Sequence, residues 1–386
     1  MLSIENVENT KEIIFAHENP GKKIVPNKKI AIITDQIAGG IGGAESITFA
    51  AARMYPDSHI YTTVCDESIL PEDILKRKVR TTFIQNLPFS KKLYKAYLPL
   101  MPIAVEHLDL QEYDIVFSSH HCVAKGVVPR PDALHICYCH SPARYIWDLF
   151  WVYQKMNKSN KYSSLLSSAI CNYLRMWDVS SAARVDRYLA NSGYTASRIK
   201  KFYNRECEIL HPPVDLNKFS HEGYGDYYVM VSRLVGYKRI DLAIEAFNEN
   251  GKNLVVIGGG AELERYKKIA KPNVKIMGKV SDEELVKYMN SCKGFIFPGK
   301  EDFGIVTAEA QAAGKPVVAF KGGGALDIVI DGETGILFDE QSVESLNNAI
   351  KICEKKEWHP GVIRANAQRF DKNKFDQKLK NIIEAR

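Results

Sequence analysis

The chain has 386 residues, a length that at about 150 residues per domain predicts two domains. Hydrophobic residues make up 45% and charged residues 25% of the sequence, a composition that excludes disordered, collagen-like and disulfide-knot proteins. No apolar run approaches the roughly 18 residues of a membrane-spanning helix, and the polar start MLSIENVENTKEII does not resemble a signal peptide. The eight cysteines form no C-x-x-C pair, which favours reduced thiols and a cytoplasmic protein.

The net charge of +6 is distributed unevenly along the chain. Residues 1–212 contain 26 basic and 21 acidic side chains, whereas residues 213–386 contain 26 and 25. Within residues 74–105 the basic side chains alternate with aromatic ones and no acid occurs; they are Lys76, Arg77, Lys78, Arg80, Lys91, Lys92 and Lys95. This pattern predicts either contact with an anionic membrane surface or an ordinary solvated helix face.

Short apolar runs that end in a polar residue recur through the first half of the chain. They lie at 28–35, 113–120, 134–141 and 187–192. A glycine-rich turn and a helical pattern follow the first run, and the helical segment YTASRIKKFY follows the last. Strands that alternate with helices predict a parallel sheet with helices on both faces.

The Pro-Pro pair in CEILHPPVD, near residue 212, is the best candidate for a domain boundary. Beyond it the alternation starts again, with apolar runs at 227–234, 253–260, 274–280, 294–299, 316–320 and 335–339. The sequence therefore predicts an α/β protein in which two doubly wound, Rossmann-like domains face each other across a cleft. We expect an N-terminal domain over 1–212, a C-terminal domain over 213–370, and a final helix over 371–386 that returns to the N-terminal domain.

The glycine cluster Gly39, Gly40, Gly42 and Gly43 follows the first strand and begins a helix. Glycines at this position let the backbone approach a phosphate, and the helix N-terminus offers free N–H groups. A tight turn without a ligand is an equally good interpretation of the glycines alone. Their spacing differs from the dinucleotide pattern G-x-G-x-x-G, which disfavours a nicotinamide dehydrogenase.

Arg233 and Lys238 lie just after the first strand of the second domain. Two cations this close at the carboxyl edge of a sheet can hold a diphosphate, the arginine through its planar fork and the lysine as a point charge. A solvated turn is the alternative for any single pair of this kind.

The segment EDFGIVTAE, from Glu301 to Glu309, follows the apolar strand FIFPG and enters an alanine-rich helix. A carboxylate can accept paired hydrogen bonds from the vicinal hydroxyls of a sugar. The apolar neighbours of Glu309 argue against an ordinary surface glutamate. His140 and Asp35 each follow a predicted strand of the first domain, where a side chain can reach a ligand in the cleft.

Together these motifs strongly resemble retaining glycosyltransferases of family 4, which have the GT-B fold. The resemblance extends from about residue 28 over nearly the whole chain, and it is most specific in VSRLVGYKRIDLAIEAF and PGKEDFGIVTAEAQAAGKPVVAF. The stretch ICYCHSPARYIWD looks like bacterial mannosyltransferases that build lipopolysaccharide O-antigen or related surface polysaccharides.

The resemblance implies roles at matching positions. Arg233 and Lys238 would hold the donor diphosphate, Glu301 the donor sugar, and Glu309 the nucleotide ribose, while His140 would contact the transferred sugar. The remaining donor-binding positions that it implies are Gly42, Gly43, Lys279, Val280, Phe303, Gly304 and Ile305. The glycine-rich stretch 321–326 departs from the shorter turn of many relatives. The family usually needs no metal or other cofactor, in keeping with the lack of an Asp-x-Asp triplet in the sequence.

The expected function is transfer of a hexose, with mannose from GDP-mannose as the best match, to a hydroxyl of a lipid-linked glycan acceptor. The enzyme would lie at the inner face of the cell membrane, with residues 74–105 on the anionic surface. A UDP-sugar-dependent transferase and a nucleotide-sugar epimerase of the same fold remain alternatives. A nucleic-acid-binding protein is a remote alternative. It would leave the carboxylates of Glu301 and Glu309 and the cations Arg233 and Lys238 without a function.

Overall fold

A computed structural model describes residues 28–156 and 161–385, so the first 27 residues of the predicted N-terminal domain lie outside the described part. Its strands form two separate parallel sheets of seven and six strands. Every strand pair within the two sheets is parallel. Parallel strands need crossover connections, and helices supply them throughout.

The first sheet has the strand order β3-β2-β1-β4-β5-β6-β7. Its strands are β1 (Ile30–Thr34), β2 (His59–Thr62), β3 (Val79–Thr81), β4 (Ile115–His120), β5 (Leu134–Cys139), β6 (Arg187–Ala190) and β7 (Glu208–Ile209). The helices of this half are α1 (Gly43–Met54), α2 (Glu72–Leu75), α3 (Ser90–Leu93), α4 (Met101–Glu106), α5 (Phe150–Met156), α6 (Lys161–Ala182) and α7 (Gly193–Tyr203). The central strands β1 and β4 are buried at every residue, which explains the apolar runs with which they begin, at 30–33 and 115–117.

The second sheet has the strand order β10-β9-β8-β11-β12-β13. Its strands are β8 (Tyr227–Val231), β9 (Asn253–Ile257), β10 (Val274–Gly278), β11 (Gly294–Phe297), β12 (Val317–Phe320) and β13 (Gly335–Phe338). The helices are α8 (Ile240–Asn250), α9 (Leu263–Ile269), α10 (Asp282–Ser291), α11 (Ile305–Ala312), α12 (Ala325–Ile328), α13 (Val343–Lys355) and α14 (Pro360–Ala367). Two apolar cores pack on opposite faces of this sheet.

Each sheet reverses its strand order at one point, between β1 and β4 in the first sheet and between β8 and β11 in the second. The connections leave to opposite sides at such a point, and the carboxyl ends of the two strands border a crevice where ligands bind. The fold therefore predicts a ligand site at the loops that follow these four strands.

The chain passes between the two halves twice. Val214 begins the second half and forms an isolated bridge with Asp371, and its N–H donates to the Phe370 carbonyl at 2.8 Å. The final helix, α15 (Lys372–Glu384), then packs on α1 of the first half. Its buried Phe375 contacts Tyr138 with ring centroids 6.1 Å apart.

Several boundaries differ from the sequence-based expectation. Helix α14 was not predicted as a separate element, and Asp371 caps α15 by accepting the N–H of Asn373 at 2.9 Å. The long helix α6, the interior strand β2 and the edge strand β3 were not predicted; β3 is only half buried at each residue, whereas β2 is buried at three of its four. Within residues 28–156 and 161–385, none of the helices combines the length and the apolar character that spanning a membrane requires.

Candidate functional site

Lys238 and Glu301 meet at the switch point of the second sheet. Lys238 ends a short 3-10 turn (Gly236–Lys238) after β8, and Glu301 lies in the loop after β11. Their ammonium and carboxylate groups form an ion pair, with only 10% and 19% of the side chains exposed. Two residues that the sequence assigned to neighbouring parts of a donor site are thus in direct contact.

The Glu301 loop rests on the glycine-rich stretch 321–326. The Gly324 N–H donates to the Glu301 carbonyl at 2.9 Å. A Cβ atom at Gly324 would lie 2.3 Å from the Cα of Phe303, so only glycine allows this approach. The stretch that departs from the family pattern therefore supports the loop that carries Glu301.

The same loop leads into helix α11. Gly304 precedes the helix with a φ of +85°, a conformation that favours glycine, and Ile305 is the first helical residue. The buried ring of Phe303 stacks on His211 with centroids 5.5 Å apart. The unpaired N–H groups of the first turn of α11 face the β8–β11 switch point, where they can stabilise an anion.

Glu309 lies one turn further along α11. Burial raises the pKa of its carboxyl to about 7, against a smaller opposing effect of the Lys218 charge. Among the described residues, no side chain donates a hydrogen bond to this carboxylate. A half-buried carboxylate without a protein donor is suited to accept hydrogen bonds from the hydroxyl groups of a bound ligand.

Arg233 is exposed and projects from the end of β8 into the cleft. Its guanidinium donates to the Tyr237 hydroxyl at 3.1 Å. Tyr237 is also contacted from the first domain, because the guanidinium of Arg144 lies 5.6 Å from its ring centroid. Lys238 lies on the same ring at 5.3 Å, so positive charge from both domains gathers around Tyr237.

His140 follows β5 on the opposite side of the cleft. Its Nε2 lies 2.8 Å from the Ser119 hydroxyl, which also contacts the Ala44 carbonyl at 3.0 Å. Because a carbonyl only accepts, the serine proton goes to Ala44 and His140 donates its Nε2–H to Ser119. Burial, aided by the charge of His121, lowers the pKa of His140 to about 3. The ring is therefore neutral, with the lone pair on Nδ1.

Asp35 and His121 form a second pair at the switch point of the first sheet. Asp35 is fully buried after β1, and its carboxylate accepts four backbone N–H groups from residues 121–124. The Nδ1 of His121 lies 2.8 Å from Asp35 Oδ2. Although burial acts in the opposite direction, His121 and these N–H groups hold the pKa of Asp35 well below its usual range.

The glycine turn lies beside this pair. Gly39 and Gly40 have positive φ values of +79° and +117°, and Gly42 precedes α1. The Gly42 N–H already donates to the Glu45 side chain at 2.8 Å, so it is not free for a phosphate in this structure. Gly43 is the first helical residue, and a Cβ atom there would have no neighbour within 4 Å.

Lys279 and Val280 follow β10 at the outer side of the second-domain crevice. Lys279 is exposed, and its side chain lies over Gly259 at the end of β9. Val280 is half buried and packs on the second-domain core. Because β10 is the edge strand next to β9 and β8, Lys279 and Val280 lie on the side of Lys238 that is away from β11 and Glu301.

A polar network connects the two domains next to Glu301. Arg198 of α7 contacts Asp302 at 2.9 Å and Asp148 at 2.6 Å. Arg144 approaches Asp302 at 3.5 Å, and the Ser192 hydroxyl donates to the Asp302 carbonyl. The first domain therefore contacts both the side chain and the carbonyl group of Asp302, the residue that follows Glu301.

Sequence reasoning missed His121, Arg198 and Asp302 as parts of the site. His121 is adjacent to a strand end that was recognised, and a signal lay in the His-His pair after β4. Arg198 offered no signal, because its partner Asp302 is 104 residues away along the chain.

Two family descriptions match consecutive parts of the chain. "Glycosyltransferase Family 4" matches residues 41–218, and "Glycosyl transferases group 1" matches residues 215–374. The chain belongs to glycosyltransferase family 4. The two doubly wound domains are those of the GT-B fold, as expected from the sequence.

Curated relatives of this family 4 chain include mannosyltransferases. The GDP-mannose-dependent alpha-(1-6)-phosphatidylinositol monomannoside mannosyltransferase of Mycolicibacterium smegmatis is 31% identical over 192 residues, which cover 41% of this chain and 50% of that protein. The alpha-1,3/1,6-mannosyltransferase ALG2 of Kluyveromyces lactis is 24% identical over 377 residues, covering 80% of this chain and 72% of that one. The chain spans about half the length of the first curated relatives it matches.

Solved structures support the same fold. The crystal structure of Anabaena Alr3699/HepE in complex with UDP and glucose matches with a TM-score of 0.66 and 18% identity. The match covers 93% of this chain and all of that one. At this identity the likeness concerns the fold alone.

Proposed function

We propose that the chain is a retaining glycosyltransferase that moves a hexose from a nucleotide sugar to a hydroxyl group, with GDP-mannose as the donor. The observation that carries the proposal is the largely buried contact of Lys238 with Glu301, together with the contacts of both Arg233 and Lys238 with Tyr237. Cations for a diphosphate and a carboxylate for sugar hydroxyls thus occur side by side at one switch point.

In this proposal Arg233 and Lys238 stabilise the negative charge that develops on the departing phosphate, the electrostatic effect expected to dominate. Glu301 accepts hydrogen bonds from the sugar hydroxyls, and Glu309 from the ribose. A departing phosphate oxygen takes the proton of the acceptor hydroxyl on the same face, so the anomeric configuration is retained. Glu301 is paired with Lys238, which makes it a poor covalent nucleophile. No metal enters this scheme.

The GDP-mannose donor is supported by the relatives whose names state that specificity or a mannosyl transfer. UDP-sugars are the second candidate, favoured by the neighbour solved with UDP and glucose. The lining of the base pocket by the backbone of Lys279 and Val280 is part of the same proposal.

The acceptor is proposed to be a lipid-linked glycan of surface polysaccharide or lipopolysaccharide synthesis, reached at the inner face of the membrane. The segment 74–105 supports this, since it exposes apolar side chains at the cleft: Phe89, Leu93, Leu100 and Ile103 are 74%, 50%, 40% and 57% exposed. Tyr94, in the same segment, lies next to Gly39 of the glycine turn. A membrane contacted by these residues would lie beside the acceptor side of the cleft.

The basic patch is smaller than its composition indicates. Lys76 pairs with Glu72 at 3.3 Å, Lys91 with Asp66 at 3.6 Å, and Arg80 with Glu112 at 3.7 Å. In the described part of the chain, Lys78, Lys92 and Lys95 have no acidic partner. The proposal therefore relies on these three lysines together with the exposed apolar side chains.

The test measures nucleotide release from GDP-mannose, UDP-glucose and ADP-glucose, with and without a lipid-linked oligosaccharide fraction. We expect release from GDP-mannose that depends on the acceptor, together with thermal stabilisation by GDP. Preferential stabilisation by UDP would replace the donor, and conversion of the sugar without any acceptor would indicate an epimerase. Steeply salt-dependent binding of DNA or RNA without turnover would favour a nucleic-acid-binding protein.

A further inference from the structure

His121 is an ionisable group to which the mechanism above assigns no role. It lies at the switch point of the first sheet, and 35% of its side chain is exposed toward the cleft. Its Nδ1 is held by Asp35, whose carboxylate is itself fixed by four backbone N–H groups. A ring oriented this firmly presents its other nitrogen, Nε2, in a defined direction.

The Nε2 atom contacts the side-chain amide of Gln36 at 3.1 Å. A neutral ring accepts the amide N–H, whereas a protonated ring donates to the amide oxygen, and a half turn of the amide exchanges the two. Gln36 can therefore accommodate both protonation states of His121. Protonation is favoured by Asp35, which raises the pKa of His121 although burial opposes it.

The charges that surround His121 come from both domains. Asp35 and Glu45 favour the protonated ring, whereas Arg233, across the cleft, disfavours it. The neighbouring rings of His120 and His140 are neutral, because burial lowers the pKa of each to about 3. Burial raises the pKa of the Tyr94 hydroxyl, and the Arg233 charge acts against this effect. The guanidinium therefore lies near two separate elements of the first domain.

Arg233 itself has no acidic partner in the described part of the chain. Its guanidinium donates to the neutral Tyr237 hydroxyl at 3.1 Å. By contrast, Lys238 is paired with Glu301 and Arg144 with Asp302 and Asp148. An anion bound between Arg233 and the protonated ring of His121 would be stabilised by both charges.

We propose that His121 is a first-domain phosphate-binding residue that, with Arg233 of the second domain, holds the diphosphate of the nucleotide sugar from both sides of the cleft. The inference rests on the proposed function, since it assigns a further residue to the same donor site. The Nε2–H of His121 donates to a diphosphate oxygen, and Gln36 releases the ring when the donor binds. Affinity for the donor is then present while His121 is protonated and is lost as the pH rises through its pKa, above the usual value of about 6.5.

The test uses GDP-mannose and UDP-glucose as probes, because their esterified diphosphate does not titrate between pH 6 and pH 8.5. Isothermal titration calorimetry with the whole chain measures the dissociation constant across this range. We expect the wild type to bind about tenfold more weakly at the high end. His121→Gln should bind about tenfold more weakly at pH 6 and show no further pH dependence.

Two further variants keep the test informative. His121→Lys carries a charge at every pH used and should retain its affinity at pH 8.5. The matched control is His107→Gln, which alters an exposed histidine far from the cleft and should behave as the wild type. If His121→Gln does not fold, the pH dependence of the wild type and of His121→Lys still tests the proposal.

The outcomes separate the two proposals. If neither probe binds the wild type at any pH, the proposed function itself is wrong. If a probe binds with equal affinity at pH 6 and 8.5 and His121→Gln binds as the wild type does, only the role of His121 is overturned. A kcat that rises with pH at constant affinity would mean that His121 acts as a base rather than as a phosphate ligand.

Discussion

Lys238 and Glu301 form an ion pair, although the proposed function assigns them to different parts of the donor. The lysine is to stabilise the phosphate and the glutamate is to bind the sugar. Their ion pair keeps both side chains buried and ordered before the donor arrives. The bound donor then interacts with both members of this pair. Because the lysine is already ordered, its contact with the phosphate costs little further conformational entropy.

The first prediction concerns Lys238→Met. The change removes a cation from the leaving phosphate and leaves the Glu301 carboxylate unpaired, so we expect kcat to fall by about 10²- to 10³-fold. Steady-state kinetics with GDP-mannose, the donor proposed above, is the measurement. Lys351→Ala, which alters an exposed lysine of α13, is the control and should retain full activity. Normal turnover by Lys238→Met would remove the lysine from the proposed mechanism.

The second prediction concerns Gly324→Ala. The new methyl group would lie 2.3 Å from the Cα of Phe303, so the loop that carries Glu301 has to move. A shift of about 1 Å at a substrate-binding loop costs roughly 10²-fold in kcat/KM. Gly361→Ala is the matched control, since a Cβ atom at that helical glycine meets no atom within 4 Å. Equal activity of both variants would show that the loop does not depend on Gly324.

The third prediction uses the raised pKa of Glu309. The folded chain holds this proton up to about pH 7, whereas the unfolded chain releases it near pH 4.5. The wild type therefore loses unfolding free energy as the pH rises from 4.5 to 7, by about 2 kcal/mol. Glu309→Gln does not titrate, so its stability relative to the wild type should increase by that amount between pH 5 and pH 8. Urea unfolding at both values tests this, and a constant difference would mean that Glu309 is not held protonated.

The fourth prediction addresses the contact between Arg198 and Asp302. Asp302→Asn leaves the largely buried guanidinium of Arg198 with one carboxylate instead of two, and we expect the closed arrangement of the domains to lose about 3 kcal/mol. Small-angle X-ray scattering should detect a larger radius of gyration, and KM for the donor should rise severalfold. Asp73→Asn removes the exposed pair with Arg53 and is the control, expected to cost less than about 1 kcal/mol. An unchanged radius and KM would contradict a closing role for the contact.

The fifth prediction tests the membrane surface. Lys92→Glu with Lys95→Glu reverses two of the unpaired cations in segment 74–105, and each cation near an anionic surface contributes about 1 kcal/mol. Flotation with vesicles that contain anionic lipid should show binding reduced by at least about tenfold. Lys267→Glu with Lys268→Glu makes the same charge change on α9 of the second domain and should bind as the wild type does. Equal binding of the wild type to neutral and anionic vesicles would contradict an electrostatic surface.

The parts of the fold that sequence could predict are those whose pattern is local. Buried strands such as β1 are apolar runs that end in a polar residue, and the residues after them lie at one sheet edge by topology alone. This is why Arg233, Lys238 and Glu301 could be assigned to a common crevice. Edge strands such as β3, half buried at every residue, leave no such run.

What sequence could not predict depends on contacts between distant residues. The sequence predicted that Asp35 could reach a ligand in the cleft, but its side chain is fully buried, because four N–H groups of residues 121–124 turn toward its carboxylate. The basic residues of 74–105 appeared unopposed because their acidic partners Asp66, Glu72 and Glu112 lie outside that window. Charge counted along a chain does not show which charges meet in space.

The return of α15 to the first domain affects how the protein is made. Phe375, Leu379 and Ile383 fill the same core as residues of β1 and α1, although more than 300 positions separate them in the sequence. During synthesis the N-terminal half emerges first, but its core lacks these side chains until α15 has been made. The first half is therefore complete only after the second half has been synthesised, and a product that ends before α15 would expose an apolar face on α1.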